Sequence, residues 1–338
     1  MITRKIDSAD ERVGFVSDWV TKIAQHVEQL IVITWQPSRP EGLPKNVLLV
    51  SLPQNRLLKI AGLKWQLLRR LRSVDGVFCH MNPEYTILAA PLARLFGKKV
   101  VSWYTHGTVS WRLKLMEKLT NAILTASSES FRLASKKVNV VGHGIDVETF
   151  KPAARPSSAA LRVISVGRIS PTKDYESMIK ALDILKDEGN HSVTLDIVGA
   201  PGLAEHVSYS ENLKKMVAAM GLSGQITFVG AVPHQQVPQR LQQADVLINL
   251  SGTGSVDKAV LEAIACGCIV LTSNEAFRAM LPAELMVSQN NPVQLAERTT
   301  WLAGLAVAKK ESLRRQLRQI VVLHHNLDQL AMKIVSQF

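Results

Sequence analysis

Two cations five residues apart, Arg168 and Lys173, flank a proline in the run Gly167-Arg168-Ile-Ser-Pro-Thr-Lys173-Asp174. A planar guanidinium and a point-charge ammonium at that spacing suit a diphosphate. Gly167 lets backbone approach a ligand closely, and a helix N-terminus after the turn adds partial positive charge. The plain alternative is a solvated loop. A second constellation follows the apolar run Val246–Asn249: Leu250-Ser-Gly-Thr-Gly-Ser-Val-Asp-Lys258, then Ala259-Val-Leu-Glu262. Gly252 and Gly254 allow a loop whose amides wrap a ligand. Glu262 lies one helical turn beyond Lys258, so the two can simply pair with each other. His106, in Tyr104-Thr-His106-Gly107, follows another apolar run. Taken alone, a histidine there is more often structural than catalytic.

These residues need rigid elements behind them. Strands are predicted at Leu30–Thr34, Val47–Ser51, Gly76–Cys79, Lys99–Trp103, Ala122–Thr125 and Val138–Val141, with helix-length amphipathic stretches between most of them. Residues 153–160, Ala-Ala-Arg-Pro-Ser-Ser-Ala-Ala, read as a linker. The alternation then resumes, with strands at Arg162–Val166, Val193–Val198, Ile226–Val229, Val246–Asn249 and Ile269–Thr272. Helices are predicted at Tyr175–Asp187, Ser210–Met220, His234–Gln243 and Ala259–Ala265. Strands alternating with helices argue for α/β architecture with parallel sheets, here as two Rossmann-type halves. In such sheets ligands bind beyond the carboxyl ends of the strands, and two sheets face to face leave a cleft at their boundary.

The chain has 338 residues, 46% apolar and 20% charged, a length for about two globular domains. No apolar run is long enough for a transmembrane helix. Met1-Ile-Thr-Arg-Lys turns charged at once, unlike a secretory signal. Cys79, Cys266 and Cys268 make neither a disulfide framework nor a zinc set, so no metal is expected and a reducing cytoplasm is the expected location. The net charge is +12, and it is uneven. Residues 1–160 hold 23 Lys/Arg against 12 Asp/Glu, whereas residues 161–338 hold 17 against 16. A basic half can meet nucleic acid, anionic lipid or a phosphorylated substrate, or serve solubility alone. No zinc finger or aromatic RNA-binding signature appears, so nucleic acid is not an expected partner.

In combination the motifs are far more specific. Val166-Gly-Arg-Ile-Ser-Pro-Thr-Lys173, Phe228-Val-Gly-Ala-Val-Pro-His234, Ala244-Asp-Val-Leu-Ile-Asn-Leu-Ser251 and Val260-Leu-Glu-Ala-Ile-Ala-Cys-Gly267 together resemble the second domain of GT-B glycosyltransferases of the family 4 type. In the first half, Tyr104-Thr-His106-Gly107, Ser127-Ser-Glu-Ser-Phe131 and Gly142-His-Gly-Ile-Asp-Val-Glu-Thr-Phe150 agree. The resemblance implies an acceptor-side domain of residues 1–152, with 322–338 crossing back to it, and a donor domain of 153–321. It implies a retaining, metal-independent, hexosyltransferase-like enzyme using a UDP- or GDP-linked sugar as substrate, with no cofactor. By motif, Arg168 and Lys173 would hold the donor diphosphate and act in catalysis. Glu262 would accept from the ribose, the backbone near Val232 would face the base, and the loop Gly254, Ser255, Val256, Asp257 and Lys258 would present amides to sugar and phosphate. His106 would sit at the cleft as a catalytic and acceptor-side residue, with Gly14 beside the acceptor. The acceptor would be a glycan, a lipid-linked sugar or another hydroxyl.

Two departures stand out. The family carries two glutamates eight apart. The second falls on Glu262, but the first falls on Gly254, so Asp257 or Ser255 would have to stand in. The opening strand is only Met1–Thr3, and the turn after it reaches a single glycine, Gly14, which suggests a truncated start. A catalytically weak or silent nucleotide-sugar binder is therefore the main rival reading. A sugar-nucleotide epimerase shares the architecture but fits Arg168, Lys173 and Glu262 less well.

Asn55–Arg72 is predicted helical, with Leu57, Ile60, Leu67, Leu68 and Leu71 near helical spacing among six cations. It reads as a core-facing helix with a solvated basic side, or, slightly less favoured, as a helix lying on an anionic membrane. The second reading would place the protein peripherally on the cytoplasmic face of a membrane. Leu313–Phe338 is also helical in pattern.

Overall fold

The computed structural model describes every residue except 8, 9, 11, 12, 39, 41, 156–159 and 191. The chain divides into two compact units. One comprises Met1–Asp146, Pro233–Gln235 and His324–Phe338; the other comprises Val147–Val232 and Gln236–Leu323.

In the first unit the elements run β1 (Ile2–Thr3), α1 (Phe15–Ala24), β2 (Leu30–Thr34), β3 (Val47–Ser51), α2 (Arg56–Arg70), β4 (Gly76–His80), α3 (Pro83–Leu95), β5 (Lys99–Trp103), α4 (Trp111–Leu119), β6 (Ala122–Thr125) and β7 (Val138–Val140). Among the described residues the strands form one parallel sheet in the order β3-β2-β1-β4-β5-β6-β7. The short β1 pairs on both sides: Ile2 lies opposite Ile33 and Cys79. The chain therefore reverses its direction of growth between β1 and β4. Helix α1 buries Val16, Trp19, Val20 and Ile23, the three-and-four spacing of a core-facing stripe. Trp19 meets Trp103 edge to face at 4.8 Å. Leu63, Leu67, Tyr85, Ala89 and Ala90, from α2 and α3, close over Ile2, Val77 and Cys79.

The second unit runs β8 (Leu161–Val166), α5 (Tyr175–Asp187), β9 (Val193–Val198), α6 (His206–Ala219), β10 (Ile226–Gly230), α7 (Val237–Gln243), β11 (Val246–Asn249), α8 (Lys258–Ala265), β12 (Ile269–Thr272), α9 (Pro292–Gly304) and α10 (Val307–His324). Its described strands form a parallel sheet in the order β10-β9-β8-β11-β12. Here the reversal falls between β8 and β11. Of the expected linker, residues 156–159 lie outside the described residues. Arg155 before them is tied down in this unit: its guanidinium donates to the carbonyls of Ala244 (2.9 Å) and Cys266 (3.0 Å).

The C-terminal segment read as helical from Leu313 onward is two helices. After α10 the chain breaks, and α11 (Leu327–Val335) begins afresh. Backbone pairing causes the break. Ile145 N–H donates to the His325 carbonyl, and Leu327 N–H donates to the Ile145 carbonyl. Asn326 then caps α11 by accepting from Asp328 N–H at 2.8 Å. Helix α11 belongs to the first unit, where Lys22 reaches Asp328 at 3.0 Å.

Close backbone approach sets the ends of β8 and β9. Gly199 has φ +144°, and a Cβ there would lie 1.9 Å from the Gly167 carbonyl oxygen. Gly199→Ala must therefore push the turn at 167 outward, in a backbone region that already strains an L residue. The expected loss is about 1–3 kcal/mol. Thermal unfolding reads this as a drop in Tm of several degrees; a wild-type Tm would show that the turn yields freely.

Candidate functional site

The carboxyl ends of β8 and β11 flank the point where the second sheet reverses, the place where open parallel sheets take ligands. Strand β8 ends at Val166, and the chain turns through Gly167 and Arg168 into a short 3-10 turn, Pro171–Lys173. Arg168 is exposed. Lys173 folds back across Gly167, where an added Cβ would sit 3.4 Å from the lysine Cε. Asp174 follows in the left-handed region (φ 49°, ψ 51°), which a short polar residue tolerates. Its carboxylate accepts from Ser177 N–H at 3.3 Å, capping α5, and from Asn290 N–H at 3.1 Å.

The loop from β11 to α8 meets this turn. Gly252 N–H donates to the Thr172 carbonyl at 3.4 Å. Asp257 is the N-cap of α8, accepting from Ala259 N–H at 3.3 Å. The same carboxylate accepts from Asn249 Nδ2 at 2.9 Å and forms an ion pair with Lys173. Burial alone would raise the Asp257 carboxyl, but the charge and hydrogen bond of Lys173, with those of Asn249 and Ala259, hold it below the usual carboxylate range. Asn274 Nδ2 donates to the Ser255 carbonyl at 2.7 Å and pins the loop from the far side.

Of the expected donor residues, Arg168, Lys173, Gly254, Ser255, Val256, Asp257, Lys258 and Glu262 all lie on these two segments. Asp257 has three partners already, so a sugar could use its carboxylate only by undoing the cap or the ion pair. Gly254 is buried with φ 63°. A glutamate there would carry left-handed strain, so the missing carboxylate and the loop conformation go together. Lys258 and Glu262 do pair at i, i+4, 3.3 Å apart, with Glu262 only 4% exposed. Val232 is half-buried beyond β10, the edge strand, two strands away from β8. Beside the glycine loop lies a pocket of about 240 Å³ lined by Thr172, Asp174, Gly252, Thr253, Gln289 and Asn290 among others. Asn249 and Asn274 escaped sequence reading; their signal was an amide residue at or within two residues of the end of an apolar strand. Among the described residues no group of three or more His, Cys, Asp or Glu is arranged to hold a metal ion.

The other two expected residues belong to the first unit. Gly14 is buried at the start of α1, its N–H donating to the Asp10 carbonyl at 2.8 Å. His106 is exposed on the loop after β5, its ring tilted 6.4 Å from that of Tyr104. At this sheet's own reversal, Thr3 Oγ1 and His80 Nδ1 are 3.0 Å apart. Met81, next in the chain, takes φ 69°, a strained value for its side chain.

Residues 146–313 match the family described as glycosyl transferases group 1. The D-inositol 3-phosphate glycosyltransferase of Streptomyces scabiei is 29% identical over 153 residues, 41% of this chain and 33% of that protein. The lipopolysaccharide core biosynthesis mannosyltransferase LpcC of Rhizobium leguminosarum is 28% identical over 263 residues, 74% of this chain and 70% of that one. The chain thus spans about a third of the length of the first of these curated relatives. Among solved structures, Anabaena Alr3699/HepE in complex with UDP superposes with a TM-score of 0.76 at 15% identity, covering 100% of this chain and 99% of that one. Sucrose-phosphate synthase from Thermosynechococcus elongatus gives 0.78 at 15% identity, covering 99% and 97%. These likenesses show the fold, α/β of the GT-B kind.

The Lys173–Asp257 pair is testable without any ligand. Both side chains are more than four-fifths buried. Asp257→Asn keeps an N-capping residue but strands Lys173, and should cost about 3 kcal/mol at neutral pH. Because the folded carboxyl sits below its ordinary value, its contribution is present above about pH 4 and fades as pH falls through the folded value. The gap in Tm between wild type and variant should therefore narrow in acid. A gap independent of pH would remove the ion pair from the account.

Proposed function

Through residues 146–313 the chain belongs to the glycosyl transferases group 1, and we propose that it moves a sugar, with retention of configuration, from a nucleoside diphosphate donor to a hydroxyl acceptor. One observation carries this reading: a two-cation turn and a glycine loop converge at the switch point of the second sheet. In the transfer, the bond from the anomeric carbon to the diphosphate oxygen breaks, and its electron pair leaves with the diphosphate. The acceptor oxygen then bonds that carbon and passes its proton to the departing diphosphate oxygen. Negative charge grows on the leaving diphosphate, and fixed positive charge aimed there lowers the barrier. Arg168, exposed beside the turn, and Lys173 would supply it. Glu262 would accept from the ribose, with Val232 beside the base and the amides of Gly254–Lys258 facing sugar and phosphate.

The Alr3699/HepE structures with UDP and with UDP-glucose make a uridine nucleotide the first donor to try. The acceptor side falls to the first unit, with Gly14 and His106. Its basic balance favours a glycan or lipid-linked acceptor held at an anionic surface on the cytoplasmic side of a membrane. The rival reading, a binder without turnover, draws on Gly254 in place of a carboxylate and on the Asp257 partner that a phosphate must displace from Lys173.

Transfer or hydrolysis of a UDP- or GDP-sugar separates the two readings, and the anomeric configuration of the product tests retention. Arg168→Ala should lower turnover at least tenfold, about 1.4 kcal/mol of barrier, with the fold intact. Glu262→Gln should weaken nucleotide binding in calorimetry, because an amide accepts less strongly than a carboxylate. Wild-type kinetics in the first variant and wild-type affinity in the second would dismiss these roles.

A further inference from the structure

Helix α2 is built inside out. Its inner face carries Lys59, Leu63 and Leu67, continued by Leu71, a ladder at every fourth residue. Lys59 is only 9% exposed, and its ammonium lies 5.4 Å from the centroid of the Trp35 ring. The opposite face turns large apolar side chains to the outside: Leu57 is 78% exposed, Leu58 59%, Trp65 58% and Leu68 44%. Leu57 and Leu68, which the spacing assigned to a core-facing stripe, are thus on the wrong side for a core. The inner positions are taken by residues that reach Trp35 and the sheet.

Cations share this outer face. Lys64 and Arg69 are exposed on it, Arg56 and Arg72 are exposed at its two ends, with the Arg72 guanidinium 5.8 Å from the Phe96 ring centroid, and residues 55–72 contain no Asp or Glu. Asn55 starts the helix, accepting from Leu57 N–H at 3.0 Å and Leu58 N–H at 3.3 Å. At about 1.5 Å per residue the helix is roughly 22 Å long. Among the described residues, no helix of the chain is long and apolar enough to cross a membrane. A helix with apolar side chains and cations interleaved on one outward face fits a surface that is apolar inside and anionic at its rim.

We propose that the outward face of α2 docks on anionic lipid, with Leu57, Leu58, Trp65 and Leu68 entering the headgroup boundary and Lys64 and Arg69 meeting lipid phosphates. Trp65 has the amphipathic ring that favours that boundary. The long stems of the cations let their charges reach outward while the helix sinks. Charge argues against a second copy of the chain as the occupant. Two such faces would set cation against cation, in halves that already carry 23 Lys/Arg against 12 Asp/Glu.

The geometry links docking to the acceptor side. In a parallel sheet, the loops that leave the strands all open at one edge. Leu57 and Leu58 occupy the first turn of α2, just after β3, so they lie toward the edge where the loop after β5 carries His106. On that loop and the start of α4, Val109 is 41% and Trp111 67% exposed, with the Arg112 guanidinium 5.3 Å from the Trp111 ring centroid. A lipid surface at α2 would lie toward the edge that bears His106. This consequence rests on the proposed glycosyl transfer; the docking itself does not.

Flotation of the full chain with vesicles tests the docking. The probes are phosphatidylcholine alone and phosphatidylcholine with about 30 mol% phosphatidylglycerol, with no nucleotide present. Binding is expected only to the anionic vesicles, and should weaken at least tenfold between roughly 50 and 500 mM salt. Trp65→Ser with Leu68→Ser should weaken it at least tenfold, as should Lys64→Gln with Arg69→Gln, both with wild-type Tm and wild-type UDP affinity. Equal binding to neutral vesicles, or salt-sensitive binding that neither pair of changes alters, overturns the assignment to α2. So does absence of vesicle binding joined to a dimer, or to capture of an acidic protein, that Trp65→Ser with Leu68→Ser abolishes. Vesicle binding without sugar transfer would sink the glycosyl-transfer reading and leave the docking face standing.

Discussion

One carboxylate holds the second unit's carboxyl edge together. Asp257 caps α8, accepts from Asn249 at the end of β11 and pairs with Lys173 at the end of the turn after β8. Three elements that meet only through tertiary folding thus share one charge. The arrangement also sets the electrostatics of the edge. Lys173 and Lys258 each face a carboxylate, Asp257 and Glu262, whereas Arg168 stands exposed beside them. An anion arriving there meets Arg168 first and must compete with Asp257 for Lys173. Such competition would couple the binding of an anion there to the Lys173–Asp257 contact that closes the loop.

The glycine at 254 belongs to the same economy of shape. With φ 63° the loop turns through a region that costs an L side chain about 1–2 kcal/mol. Three residues later the chain places the carboxylate that closes the loop against Lys173. A glutamate at 254 and an aspartate bound at 257 would put two acids into one short segment whose nearby lysines, Lys173 and Lys258, are both already engaged. The chain has one, and it is used for structure.

Most of the sheet framework was legible in the sequence because parallel strands buried on both faces read as short continuous apolar runs. Val193–Val198, Val246–Asn249 and Ile269–Thr272 fall where those runs do. What could not be read depends on distant partners. The break at His325–Asn326 exists because Ile145 pairs with the backbone there. The engagement of Asp257 depends on a lysine 84 residues away. Helix α2 carries leucines and cations all round, so periodicity alone could not choose its inner face. Trp35 and the ladder of Leu63, Leu67 and Leu71 decide it.

That choice has a physical consequence for the first unit. Burying Lys59 costs desolvation that the Trp35 ring face helps to offset, while four large apolar side chains are left outside. Rotating α2 by about half a turn would exchange these faces, but it would also pull Leu63, Leu67 and Leu71 off Ile2, Val77 and Cys79, beneath the β1–β4 reversal. The sheet's needs therefore fix the helix, and the outward face is free to be whatever its surroundings reward. Water does not reward leucine and tryptophan. A surface that is apolar within and negatively charged at its boundary rewards both those residues and the exposed cations beside them, Lys64 and Arg69.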